Sequence, residues 1–244
     1  MHLVADWKRR RRAKRRRRSF DKTLSVLPLQ RERQYLDIGA TLQRSVQYVL
    51  GAAVEGDFVE FGTGSGFSSS IIARTISELD RAKERKLWLF DSFTGLPPST
   101  TAADLESPHV QSGVWGEGAT RGLSAEEIIG QVSRLIEPDR LIVREGWFAD
   151  TVPAIEASAR FGLVHVDGDL YESTMDCLVP LFERGQITQG AHVIFDDWNC
   201  NRADNRFGER RAWIELVERF NIKSEKLDHS CWAGTRFIIH SYSA

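Results

Sequence analysis

Five short apolar runs recur along the chain: FVEFG (58–62), KLWLFD (86–91), RLIVREG (140–146), FGLVHVD (161–167) and AHVIFDD (191–197). Runs of this kind read as buried strands, and strands joined through helices pair in parallel beneath helices on both faces. Helices are predicted over 68–79, 123–136 and 170–184, the second opened by a capping box of Ser124 and Glu127. Ahead of the first strand, Tyr35, Ile38, Leu42, Val46, Val49 and Leu50 fall at helical spacing. The chain's end breaks the alternation. After a helix in RRAWIELVERF, the stretches IKSEKLD and CWAGTRFIIH read as two strands with no helix between, an antiparallel edge pair. The expected class is α/β, with a mostly parallel sheet.

The first strand runs into a glycine loop, VEFGTGSGFSSS, in which Gly62, Gly64 and Gly66 precede a helix. Glycines there let the backbone approach a ligand and take positive φ. The dinucleotide fingerprint requires a further glycine where this chain has Phe67. Charge discriminates better than spacing. Glu60 lies two residues before the loop, where it would repel a pyrophosphate and suit an ammonium or sulfonium group. Asp91 closes the second strand, a position from which a carboxylate accepts hydrogen bonds from ribose hydroxyls. Together these residues describe a site for an adenosine with a cationic tail, and S-adenosylmethionine is the candidate.

Asp167 and Asp169 follow the fourth strand, and Asp196 and Asp197 follow the fifth. In a parallel sheet those strand ends line one crevice, so the carboxylates would converge and repel. A divalent cation relieves the repulsion, and an all-oxygen donor set favours Mg²⁺, Ca²⁺ or Mn²⁺ over zinc. His165 and His192 lie inside strands and read as core or flanking residues.

Ten of the eleven residues from Lys8 to Arg18 are Lys or Arg, leaving 23 basic against 34 acidic side chains elsewhere. Such a block repels itself, so residues 1–30 are expected to form a disordered arm ahead of a domain spanning 31–244. The arm could make weak contact with nucleic acid or an anionic membrane, or could be a solvated tail. No apolar run is long enough for a membrane span, and no signal peptide is recognisable. Cys177, Cys200 and Cys231 have no metal spacing and read as reduced thiols, consistent with a cytoplasmic protein. The Ser/Pro/Gly-rich stretch 97–121 has little periodicity and reads as a lid or substrate loop.

The motifs VEFGTGSG, FDSFTGLP, REGWFADTVP, HVDGDLYEST and VIFDDW resemble, in order and wording, those of the macrocin O-methyltransferase family. The resemblance runs from about Arg31 to the C-terminus. It implies a Rossmann-like, doubly wound, seven-stranded sheet, a Mg²⁺ ion and methyl transfer from S-adenosylmethionine to a hydroxyl, usually on a sugar. By position it places Glu60, Gly62 and Gly64 at the cofactor's methionine end, Asp91 and Ser92 at the ribose, and Gly146 and Trp147 near the adenine. Asp167, Asp196 and Asp197 would hold the metal. Catechol-type enzymes carry a lysine three residues after the first metal aspartate; this chain has Leu170. Asp167 or Asp169 is then the expected base, Asp167 the better metal ligand and Asp169 the better candidate for positioning or proton transfer.

The stretch NCNRADNRFGERRAW would lie on the acceptor side, where Arg202, Arg206, Arg210 or Arg211 could meet an anionic acceptor or simply form a solvated helix start. A polysaccharide, nucleotide-sugar or other glycoconjugate is the expected acceptor, with a homo-oligomer open. Two rivals remain at this point. One is a nucleic-acid methyltransferase using the basic arm, although DGDLY stands where base methylation uses an Asn/Asp-Pro-Pro-aromatic motif. The other is a non-catalytic binding protein of the same fold.

Overall fold

The computed structural model describes Lys14 and residues 30–244, so the basic run 8–18 lies, apart from Lys14, outside the described residues. Helix α1 (Gln30–Gly51) leads into β1 (Asp57–Phe61), α2 (Phe67–Leu79) and β2 (Leu87–Asp91). Two short helices, α3 (Ala102–Leu105) and α4 (Pro108–Gln111), precede α5 (Ala125–Val132), β3 (Leu141–Glu145) and α6 (Phe148–Thr151). Then come β4 (Phe161–Val166), α7 (Tyr171–Glu183), β5 (Ile187–Phe195), α8 (Gly208–Arg219), β6 (Lys223–Asp228) and β7 (Thr235–Ser241). Residues 37–244 form one compact unit.

The seven strands form one sheet in the order β3-β2-β1-β4-β5-β7-β6. β3 to β5 pair in parallel, while β7 pairs antiparallel with both β5 and β6, as the helix-free junction at the chain's end requires. The fold is Rossmann-like and doubly wound. β4 is buried along its whole length because it lies mid-sheet with helices on both faces. β3 is half-exposed because it is the edge. β5 starts earlier than its apolar run, at Ile187, which pairs with Phe161 before a register shift.

Strand alternation sorts the side chains into two cores. Val59 and Phe61 of β1 join α7 and α8 through Leu178, Phe182, Trp213 and Leu216. Phe58, on the opposite face, joins α1, α2 and α5 through Leu42, Val46, Ile72, Ile76 and Ile128. Phe58, Phe61, Phe161 and Phe195 are fully buried, and each stabilises the fold by roughly 1.5–3 kcal/mol. The predicted capping box forms at α5: Ser124 Oγ accepts from Glu127 N, and the Glu127 carboxylate accepts from Ser124 N at 2.9 Å. Among the described residues, no helix is long and apolar enough to cross a membrane.

Candidate active site

The sheet order reverses between β1 and β4, the point at which a crevice opens beyond the strands' C-terminal ends. A cavity of about 550 Å³ lies there. Gly62, Gly64, Asp91, Ser92, Gly146 and Trp147 line it, and so do Asp167, Asp169 and Asp197 from the neighbouring strand ends.

The glycine loop is built for close approach. Gly62 has φ +90°, and a Cβ there would fall 2.0 Å from the Asp167 carbonyl oxygen. Leu123 N donates to the Gly64 carbonyl at 2.9 Å, and a Cβ on Gly122 would fall 1.8 Å from that same oxygen. Asp91 is set by its own turn. Its Oδ2 accepts from Thr63 N at 2.7 Å and Thr63 Oγ1 at 2.9 Å, and its Oδ1 accepts from Phe93 N at 2.7 Å. Ser92 Oγ donates to the Gly95 carbonyl at 2.8 Å. A Cβ-free cradle beside an oriented carboxylate and the half-exposed Trp147 fits a nucleoside with an extended tail, as S-adenosylmethionine requires.

Glu60 departs from the expectation. It is fully buried, Ser69 Oγ of α2 donates to its Oε2, and His165 Nδ1 lies 2.9 Å from its Oε1. It does not line the cavity. The reason is strand parity: Glu60 points to the same side as Phe58, toward α2, and sits opposite His165 in the β1–β4 register. Burial works against the His165 imidazolium, but the Glu60 hydrogen bond and charge, with Asp196 and Asp197, outweigh it and raise its pKa. His192 is also buried, stacked on Tyr48 at 4.4 Å, and burial with Arg236 nearby lowers its pKa to about 4.

The acidic cluster converges as expected and is larger than the sequence shows. Burial first, then the neighbouring carboxylates, pushes Asp167 and Asp169 well above the usual range. Asp196 is raised to about 6 by burial, with His165 opposing the rise. Glu209, in the first turn of α8, is a further member: it is buried, accepts from Asp197 N at 2.9 Å, and its pKa rises for the same reasons. No sequence signal marked it, because 12 residues separate it from Asp197.

Among the described residues, however, no three His, Cys, Asp or Glu side chains are arranged to hold a metal ion. Asp167, Asp196 and Asp197 nonetheless lie close enough for the Asp196 and Asp197 charges to help raise the Asp167 pKa. Asp196 and Asp197 are consecutive; Asp197 lines the cavity and its Oδ1 accepts from Cys200 Sγ at 3.1 Å, whereas Asp196 Oδ1 is buried without a partner. The donor chemistry still suits a hard divalent cation: oxygens only, mutually repelling, one of them orphaned.

The four acceptor-side arginines do not line the cavity. Arg206 pairs with Asp204 at 2.7 Å, Arg211 with Glu215 at 2.8 Å, and Arg210 donates to Asn199 Oδ1 at 2.7 Å. Arg202 is exposed and has a left-handed φ of 62°. The cavity lining carries seven carboxylates and no Lys, Arg or His. The stretch 97–121 is more ordered than expected, holding α3 and α4 and contributing Pro97, Pro98, Thr100 and Thr120 to the lining.

A model of the macrocin-O-methyltransferase (TylF) family matches residues 5–224. The chain is 33% identical over 158 residues to the 8-demethyl-8-(2,3-dimethoxy-alpha-L-rhamnosyl)-tetracenomycin-C 4'-O-methyltransferase of Streptomyces olivaceus, covering 64% of this chain. That match spans 58% of the relative's length. It is 29% identical over 199 residues to the demethyldecarbamoylnovobiocin O-methyltransferase of Streptomyces niveus, covering 80% of this chain and 72% of the relative. Among solved structures, the O-methyltransferase NovP is similar with a TM-score of 0.70 and 25% identity, over 84% of this chain and 80% of that one.

Proposed function

The chain belongs to the macrocin O-methyltransferase family, and on that premise we propose that it methylates a hydroxyl of a sugar or sugar-bearing natural product, with S-adenosylmethionine as donor. One observation carries the reading: a single cavity is lined by the glycine loop, Asp91 and Trp147 on one side and by Asp167, Asp169 and Asp197 on the other.

When bound, the cofactor supplies an electrophilic methyl group on a cationic sulfur. Gly62 and Gly64 let the backbone meet its tail, and the pre-set Asp91 carboxylate accepts from the ribose. Asp169 takes the acceptor hydroxyl's proton at a carboxylate oxygen, from its place in the cavity lining beside Asp167 and Asp197. Asp167 helps orient the same hydroxyl. Holding nucleophile and methyl carbon in line is worth about 7–11 kcal/mol at best. Asp167, Asp196 and Asp197 would hold a Mg²⁺ ion, which when bound would lower the hydroxyl pKa. The seven-carboxylate lining suits a neutral acceptor sugar better than an anionic one.

The test is mass spectrometry of neutral deoxysugar glycosides and nucleotide-sugars incubated with the full chain, S-adenosylmethionine and Mg²⁺. A cofactor-dependent gain of one methyl group supports the reading. The absence of any gain, together with no binding of S-adenosylhomocysteine by calorimetry, overturns it. Unchanged turnover in excess EDTA removes the metal and leaves the methyl transfer standing.

A further inference from the structure

Two hydrogen-bonded anchors, each beside a carboxylate of the acidic cluster, join residues 97–121 to the rest of the fold, in addition to a 3.5 Å bond from Thr120 Oγ1 to Asp169 Oδ2 and the pairing of Gly118 and Ala119 with Leu96. At the first, the Asp104 carboxylate, 1% exposed, sits on the N-terminus of α7. Its Oδ1 accepts from Tyr171 N at 2.7 Å and its Oδ2 from Glu172 N at 3.0 Å, with Thr101 Oγ1 donating at 3.0 Å. These are orphan amides of a helix end, and an anion there also meets the positive end of the helix dipole. Tyr171 and Glu172 follow Asp169 directly, separated from it by Leu170 alone. Thr100 Oγ1 adds a bond to the Glu172 carboxylate at 2.6 Å.

The second place is His109. Its backbone N donates to Asn201 Oδ1 at 2.9 Å, and Asn201 N lies 3.0 Å from its Nδ1, within donating distance when that nitrogen carries no proton. The ring packs against Trp115 at 4.5 Å with the planes tilted by 32°, and Trp115 and Asn201 are both buried. Asn201 opens a turn in which Asn201, Arg202 and Ala203 all have left-handed φ, of 54°, 62° and 54°. L-residues adopt that conformation in succession only when their surroundings impose it. The turn follows Asp197 closely, and Cys200, immediately before it, donates to that carboxylate.

We propose that Asp104 and His109 are positioning residues: they fasten the 97–121 segment to the Asp169 loop and to the Asp197 turn, so that this wall and both carboxylates move as one body. The segment is then a fixed boundary of the acceptor space, with Pro97, Pro98 and Thr100 at a set distance from the groups that take the proton. The inference deepens the methyl-transfer reading and rests on it for the roles of Asp169 and Asp197; its test requires no turnover.

Hydrogen–deuterium exchange of the full chain, with and without S-adenosylhomocysteine, compares wild type with Asp104→Ala, Asp104→Asn and His109→Ala. Both alanine variants should raise exchange across 101–115 by about tenfold or more. The decisive readout is reciprocal. Asp104→Ala should also loosen the Ala203 and Asp204 amides, which Asp104 does not touch, and His109→Ala should loosen those of Tyr171 and Glu172. Asp104→Asn keeps an acceptor oxygen for the helix end and should restore most of the protection. Effects confined to each residue's own partners, or loosening spread evenly over β1 and β4, overturn the proposal. If Asp104→Ala does not fold, His109→Ala alone gives the same cross-reading.

Discussion

Glu60 and His165 stand opposite each other in the β1–β4 register, with Oε1 and Nδ1 2.9 Å apart and both side chains fully enclosed. The pair lies beneath the cavity, which it does not line. Its carboxylate is therefore committed to the sheet.

Removing one partner of such a pair strands the other in a low-dielectric interior. Glu60→Ala should cost about 3–5 kcal/mol of stability, while Glu60→Gln, which keeps the Ser69 and His165 contacts, should cost less. Urea unfolding of both variants measures this. Calorimetry with S-adenosylhomocysteine on Glu60→Gln provides the contrast. Near-normal affinity is expected, and a selective loss of affinity at unchanged stability would return Glu60 to the cofactor site.

How much of this was legible beforehand follows from what each residue depends on. Asp91, Gly62, Asp167 and Asp197 end strands, and a strand end in a parallel sheet has one place to go; local sequence was enough. Glu60 sits inside a strand, where parity decides the side, and its charge argued for a ligand while its position faced α2. Asp196 and Asp197 are adjacent, so equal composition concealed unequal roles. Glu209 and His109 reach the site through helices and turns remote in sequence, and long-range packing leaves no periodic trace. The arginines of 202–211 left two readings open, an anion contact or a solvated helix start, because spacing does not show that Arg206 and Arg211 pair with Asp204 and Glu215.

Asp169→Asn should lower kcat by roughly 10²–10⁴-fold if Asp169 takes the proton. Affinity for S-adenosylhomocysteine should change little, because the amide preserves the shape and relieves part of the carboxylate repulsion. Comparable turnover in Asp169→Asn and wild type would shift the base to Asp167.

Gly62→Ala tests the cradle. The new Cβ meets the Asp167 carbonyl at 2.0 Å, and the residue must also hold φ +90°. Both β1 and the loop after β4 would have to move. Stability should fall by more than the roughly 1 kcal/mol that ordinary glycine substitutions cost, and S-adenosylhomocysteine binding should be lost with it. Gly64→Ala is the control: its Cβ meets nothing, although φ is +48°. Differential scanning calorimetry and titration on the two variants separate clash from backbone strain.

His192 sets an acid limit on the fold that is independent of the active site. Its folded pKa is lowered to about 4, chiefly by burial and then by Arg236, with Asp228 opposing. An unfolded histidine titrates near ~6.5. Between those values the unfolded chain binds the proton that the folded chain refuses, so the contribution is complete above the unfolded value and disappears as pH falls toward 4. A shift of this size corresponds to on the order of 3 kcal/mol. His192→Phe keeps an aromatic ring against Tyr48 without a titrating nitrogen, so its stability should fall less steeply across the same interval. Urea midpoints measured from neutral pH down to 4 for both proteins give the comparison. Parallel curves would show that the ring is hydrated and that Arg236 does not bear on it.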